Sequence, residues 1–571
     1  MNASKVLLEM LEGYGVSHVF GLPGETTLNL YEAWHDFPGI THVMARDERS
    51  AVFMADGYAK VGFKPGICEG PSVGATHMLP GIVEAFKASV PLLAFTSDIP
   101  LHLEKRNMLT GIDQSALFQA FTKESMTITD PSELPHAVRR AFRLATTGKP
   151  GPVHIRIPMD ILGGDIEDPQ MYVQGDFASY PGHRPIAQND KIQEAVKLLG
   201  SAQRPIIICG QGVLWSRAWD EVQTLAELYD ILVGTTISGK GGFPEIHPLS
   251  IGVIGARGGT SLSNKLVAGA DLIFYIGCNT DSAATDKWTL PSLDTGTKII
   301  HLDVSEAEAG NNYPTGVILI GDAKATLKKM IISSSGSRDP GKLSRLERKR
   351  TELKKYETYL SELAASGEVP VHPVRFVKEL SETLPDDHIL VVDVGVSAIY
   401  TSTFYKIREA GRSVLFNYAM GALGYALPAS IGASFVKPQS CIATLVGDGS
   451  FGFSSGELET LRRVGGNNNV ILFNNSCFGW IKAESTLSQG EKYADFSTNF
   501  SEVDYTKIAE GFGLKTFKVE RPGDLTPTLR EAFKLEEPTF TELVVAPEDK
   551  LIPPVPDWIR KAKGLGLRYI R

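Results

Sequence analysis

The sequence predicts an α/β fold built from three doubly wound parallel-sheet domains, and three observations carry that expectation. The stretch CIATLV (441–446) is a short apolar run broken by Gly447-Asp448-Gly449. After it, SSGELETLRRV places Leu458, Leu461 and Val464 at helical spacing, Gly465-Gly466 stops the helix, and NVILFN (469–474) reads as the next strand. Strand, helix and strand occupy about thirty residues, the length of a parallel right-handed crossover. Residues 1–165 repeat this alternation, and two polar seams divide the 571-residue chain into three such stretches.

In the first stretch ASKVLLEMLEGYG reads as a helix, while VSHVFGLPG, GICEGPS, PLLAFTS and PVHIRIP read as strands. The first seam, GDIEDPQMYVQGDFASYPGHRP, is rich in Gly, Pro and acids. DKIQEAVKLLGSAQRPIIICGQG opens the second stretch, and ADLIFYIGCNTD and TKIIHLDVS are its buried strands. The second seam, SRLERKRTELKKYETYLSELAAS, alternates charges as a solvated connecting helix does. The expected domains are residues 1–170, 190–335 and 370–550, followed by a basic tail at 551–571 that includes Arg560, Lys561, Lys563, Arg568 and Arg571. Ser454 or Ser455, standing before Glu457, is the expected cap of the helix in the crossover.

With 43% hydrophobic residues, 22% charged residues and a net charge of −9, the chain can bury several cores and presents no nucleic-acid surface. The five cysteines (Cys68, Cys209, Cys278, Cys441, Cys477) are scattered, without a CxxC, which favours a reducing compartment and no structural zinc. No run reaches eighteen apolar residues and the first residues lack a signal-peptide pattern, so a soluble cytoplasmic protein without a membrane partner is expected.

The crossover brings chemistry with it. Asp448 and the pair Asn474-Asn475 both fall at carboxyl ends of strands, where doubly wound sheets bind ligands. One anionic and one neutral oxygen, with room for phosphate and water, suit Mg²⁺, and small glycines let a diphosphate approach the backbone. Glu48 begins an Ala/Gly-rich helix after the strand-like THVMA. Read by itself, it is a helix N-terminal acid favoured by the macrodipole, together with Asp47.

These blocks, in this order, resemble thiamine-diphosphate (ThDP) enzymes, and in particular the acetolactate (acetohydroxyacid) synthase large-subunit group. FGLPGETTLNLYEAW (20–34) and GATHMLPGIVEAFKASVPLLAFTSDIP (74–100) resemble that group's first domain, and NYAMGALGYALPASIGA (417–433) its Gly-x-Met-Gly-Phe-Gly-Leu-Pro block. The resemblance implies a pyrimidine-binding domain, a central nucleotide-binding-like domain and a diphosphate-binding domain. It makes Glu48 the catalytic acid at N1′ of the cofactor's aminopyrimidine, in a dry pocket that raises its pKa. Gly421 would offer its carbonyl to the aminopyrimidine, and Leu423 would wedge between the two rings. Asp448, Asn475 and the main-chain oxygen of Cys477 would hold Mg²⁺. Gly395, Ser397, Gly447, Gly449, Ser450, Phe478 and Gly479 would line the ThDP site, and the Cys477 thiol would need no chemistry of its own.

Further implications concern substrate and assembly. The family uses surfaces of two subunits for each site, so a homodimer or homotetramer is expected. Some relatives bind FAD or ADP in the central domain and many bind nothing; Gly210, Gly212 and Asp303 leave these alternatives open. The group's acceptor-recognising arginine falls on Asn279, its tryptophan on Glu484, and its Phe-Gln pair on Leu109-Thr110, with Gln114 four residues on. Its Gly-Gln-His contact reads Gly395-Val396-Ser397. The expected activity is that of a lyase or carboligase on a 2-keto acid, pyruvate being the favoured donor, through a C2-carbanion/enamine. A 2-hydroxyacyl-CoA lyase or oxalyl-CoA decarboxylase-like enzyme, its phosphates met by the basic tail, is the alternative. A non-catalytic scaffold is the reading from another class, and intact Glu48, Asp448 and Asn475 speak against it.

Overall fold

Each alternation forms a six-stranded parallel sheet in the computed structural model, which describes residues 1–334 and 340–570. Arg571 of the basic tail lies outside the described residues. In the first sheet the strands run in the spatial order Thr41–Met44, His18–Gly21, Gly66–Gly70, Leu92–Asp98, Pro152–Pro158, Ser125–Thr127. In the second the order is Val317–Ile320, Lys298–Asp303, Leu272–Ile276, Pro205–Cys209, Leu232–Thr235, Ser250–Val253. The third runs Val414–Phe416, His388–Val392, Cys441–Gly447, Asn468–Asn474, Thr539–Val544, Lys515–Val519. Central strands such as Leu92–Asp98 are buried at every position, as strands covered on both faces must be.

The chain forms two compact units: Met1–His183 with Asn417–Ile442 and Gly452–Asn468, and Arg184–Phe416 with Ala443–Phe451 and Asn469–Arg571. In the first unit, helix Ala3–Gly13 buries Ala3, Val6, Leu7, Met10 and Leu11, one apolar stripe at helical spacing. Asn2 caps it, its side chain accepting from the Ser4 N–H at 3.0 Å. Helices Glu48–Gly62 and Ala426–Val436 approach through glycine: a Cβ on Gly57 would overlap the Ala429 carbonyl, and one on Gly432 would overlap the Met54 carbonyl.

In the second unit the connecting helix spans Pro340–Ala364. It is not wholly solvated: Lys349 is buried and its Nζ donates to the Pro248 carbonyl at 3.2 Å and to the Ser250 carbonyl at 2.5 Å. A carbonyl pair left at the end of a short strand supplies the partners that charge alternation alone does not disclose. In the first unit the helix Glu457–Val464 also differs from expectation. Its N-cap is Gly456, with no side-chain cap, and the Glu457 N–H donates to the Ser454 carbonyl at 2.9 Å. The tail is a docked helix, Pro556–Leu565, whose buried Trp558 stands 4.2 Å from the Trp480 ring. Its cations are partly spent: Arg560 pairs with Asp557 at 3.2 Å and Arg568 with Glu368 at 2.5 Å. Among the described residues no helix is long and apolar enough to cross a membrane, and the five cysteines are buried and form no disulfide.

Filling the helix crossing is the most direct challenge to the first unit. Gly57→Val forces backbone apart and is expected to cost about 1–3 kcal/mol. Differential scanning calorimetry should show an earlier unfolding endotherm, and an unchanged one would contradict this packing.

Candidate active site

Strand order in the third sheet decides which residues meet. His388–Val392, Cys441–Gly447, Asn468–Asn474 and Thr539–Val544 lie side by side, and their carboxyl ends lead into Gly395, Asp448, Asn475 and Glu548. Asp448 opens a helical turn, Asp448–Phe451, that also buries Ser450. Only 4% of Asp448 is exposed. Its Oδ2 accepts the backbone N–H of Ser476 at 2.7 Å and of Asn475 at 3.2 Å, and its Oδ1 that of Gly449 at 2.8 Å. Ser476 takes a left-handed φ of 54° to present its N–H in this way.

Burial pushes the Asp448 carboxyl up to about 7, although the four backbone N–H groups around it pull the other way. Glu548 is pushed up to about 8, first by burial and further by the charges of Asp448 and Asp549. The Asn475 amide joins the two acids: its Nδ2 donates to Glu548 Oε2 at 2.7 Å, while its Oδ1 accepts the Cys477 N–H at 3.2 Å. Burial raises the Cys477 thiol far above its usual range, so it stays protonated and is no nucleophile.

The glycines have different duties. Beside Gly447 there is open space where a side chain would stand. The corresponding space at Gly449 is taken by the Phe478 ring, 2.7 Å from an added Cβ, and that at Gly479 by the Glu548 carboxylate. Gly395 has φ 122°, a conformation suited to glycine, and leads into helix Val396–Phe404, where Ser397 is buried in the first turn.

The first unit holds the remaining predicted residues. Glu48 starts helix Glu48–Gly62, with Asp47 as N-cap accepting from the Arg49 N–H at 2.8 Å. It is 6% exposed, and its Oε2 lies 3.0 Å from Nδ1 of His77, whose side chain is 56% exposed. The carboxylate fits because Gly74 has no side chain: an added Cβ would sit 2.7 Å from Glu48 Cγ and overlap Oε1. Gly421 has φ 82° and Leu423 is half-buried. The acids Glu48, Asp448 and Glu548 are thus all buried.

Three contributors were not singled out in the sequence. Glu548 follows the strand Thr539–Val544 closely, and an acid at a strand's carboxyl end was the available signal. His77 and Glu84 lie on helix Gly74–Lys87, three residues and a further two turns past its start, where only tertiary contacts mark them. Gln114 is fully buried and committed to the fold, donating to the Ser97 carbonyl at 2.9 Å and accepting from Thr96. In the central sheet, side chains at Gly210 and Gly212 would meet the Gly277 backbone, so both glycines serve close packing of loops. Glu484 lines a cavity of about 260 Å³ together with Arg257, Lys287, Trp558 and Arg560.

Comparison with known proteins places the chain in one family. Residues 1–117 match the thiamine pyrophosphate enzyme N-terminal TPP binding domain, residues 192–330 its central domain, and residues 393–543 its C-terminal TPP binding domain. The chain belongs to the thiamine pyrophosphate enzymes and is a ThDP-dependent enzyme of the carboligase and lyase kind. Within that class it is similar to acetolactate synthase large subunits. A probable acetolactate synthase large subunit of Methanocaldococcus jannaschii is 34% identical over 567 residues, covering 97% of this chain and 94% of the relative. The acetolactate synthase large subunit of Lactococcus lactis subsp. lactis is 30% identical over 584 residues, covering 100% and 96%.

The seat of Glu48 yields a prediction. Gly74→Ala is expected to displace the carboxylate while leaving far-UV circular dichroism unchanged. Misplacement by about 1 Å costs on the order of a hundredfold in rate. Full ThDP-dependent turnover in this variant would contradict the cradle.

Proposed function

We propose that the protein is a Mg²⁺- and ThDP-dependent carboligase acting on a 2-keto acid, with pyruvate as donor. One observation carries the metal reading: Asp448 and Glu548 are both buried past carboxyl ends of the third sheet, with Asn475 at the end of the strand between them bonded to each, and burial raises both carboxyls. Hard oxygens from a carboxylate, an amide and a main-chain carbonyl are the donors Mg²⁺ takes, with phosphate oxygens and water completing the shell. Asp448, Asn475 and the carbonyl of Cys477 would hold it. Gly395, Ser397, Gly447, Gly449, Ser450, Phe478 and Gly479 would surround the diphosphate and the thiazolium.

ThDP, when bound, supplies an acidic thiazolium C2 that adds to carbonyl groups. The chain's residues do the rest. Glu48 holds a proton at N1′ of the aminopyrimidine, and its burial keeps water from competing for that proton. His77 fixes the orientation of the Glu48 carboxyl. The Gly421 carbonyl would accept from the 4′-amino group, and Leu423 would pack between the two rings of the cofactor. Helix Gly479–Ser488 runs from the Phe478 end of this site to Glu484, which lines the 260 Å³ cavity. We assign the second substrate to that cavity, where Arg257 and Lys287 offer cations to its carboxylate. The assembly is a homodimer or homotetramer in which neighbouring subunits complete each site. FAD or ADP on the central sheet is a separate proposal, supported by Asp303 at the end of its strand.

Two variants test the reading. Asp448→Ala should abolish Mg²⁺-dependent ThDP binding in a calorimetric titration; unchanged affinity would overturn the metal assignment. Glu48→Gln should stay folded and bind Mg²⁺–ThDP, while exchange of the cofactor's C2 proton with deuterium slows by roughly two to four powers of ten. Quenched-flow NMR measures this without a known substrate, and near-wild-type exchange would remove Glu48 from catalysis.

A further inference from the structure

Glu84, on helix Gly74–Lys87, is fully buried in the first unit, and its carboxylate faces main chain. Its Oε2 accepts the N–H groups of Met420 at 3.2 Å, Gly421 at 2.9 Å and Ala422 at 3.3 Å, and its Oε1 that of Ala419 at 3.2 Å. Four successive amides turned toward one anion form a nest. Here a side chain of the same chain occupies it.

The loop is held at both sides of this nest. Asn417 Nδ2 donates to the Ala422 carbonyl at 2.6 Å. Beyond Gly424, the Tyr425 hydroxyl donates to Asp56 Oδ1 at 2.6 Å, and Lys60 Nζ lies 2.6 Å from the same oxygen and 3.0 Å from the hydroxyl. Burial raises the Glu84 carboxyl, while the Lys60 charge and the bonds from Ala422 and Gly421 act against it. Four N–H donors favour the ionised acceptor over the neutral one.

The bond from Ala422 has a particular consequence. The N–H of Ala422 and the C=O of Gly421 belong to one peptide unit. An anion on that N–H draws electron density onto the Gly421 oxygen and strengthens it as an acceptor, since linked hydrogen bonds polarise one another. We propose that Glu84 is a positioning residue for the cofactor: it fixes the 419–422 backbone and polarises the Gly421 carbonyl that receives the 4′-amino group. This rests on the role given to Gly421 above.

Glu84→Gln in the full chain is the test. The amide keeps the size but turns one end into a donor facing donors. The variant should stay folded and hold Mg²⁺–ThDP within about tenfold of the wild-type affinity, because the diphosphate contacts are untouched. Exchange of the C2 proton in bound cofactor should slow by about ten- to a hundredfold, with Glu84→Asp recovering part of the loss. A lower unfolding temperature with wild-type exchange would make Glu84 merely structural and overturn the proposal. Should Glu84→Gln not fold, Glu84→Asp carries the same exchange measurement: slowed exchange supports the proposal and the wild-type rate overturns it. No exchange in wild-type protein saturated with Mg²⁺–ThDP would overturn the reading of the site as well.

Discussion

The bonds from Asn475 and Ser476 to the Asp448 carboxylate tie together the ends of two adjacent parallel strands. In a parallel sheet all carboxyl ends emerge on one side, so loops from consecutive crossovers crowd there. A buried anion needs donors, and the loop after Asn468–Asn474 supplies them at the cost of a left-handed Ser476. The positions of Asn475, Cys477 and Phe478 follow from that bond. Phe478 in turn occupies the space beside Gly449, and Asn475 reaches Glu548 two strands from Asp448.

The strand–helix–strand periodicity of 441–474 was legible because each step is local: an apolar run, a glycine break, a helical stripe. The same locality made Asp448 and Asn475 readable as strand-end residues. Glu548 was not legible, since its relevance depends on Thr539–Val544 lying beside Asn468–Asn474, an order set by packing across some seventy residues of chain. His77 and Glu84 escaped for a related reason: a helix shows its spacing in sequence but not which carbonyls or acids it will face. Lys349 shows the limit of charge patterning, because two carbonyls near a short strand draw in one cation of an otherwise polar helix.

The unit holding Glu48 uses burial differently from the sheet that holds Asp448. Around Asp448 the backbone is the donor and the acid the acceptor. Around Glu48 a partly exposed His77 and the absent side chain of Gly74 make the seat. The acids share burial yet not surroundings. The changed residues at Asn279, Leu109 and Glu484 lie outside both seats; Leu109 is 87% exposed and Glu484 faces the 260 Å³ cavity.

The overlap of Gly479 with the Glu548 carboxylate has a consequence for the protein's history. Any side chain at position 479 would overlap the Glu548 carboxylate and come within 2.6 Å of the Asn475 amide nitrogen. A lineage can enlarge position 479 only after the side chain at position 548 has given way and the Asn475 amide has shifted, and the reverse order passes through a defective intermediate. The two sites, about seventy residues apart in the chain, are bound to change in sequence rather than independently.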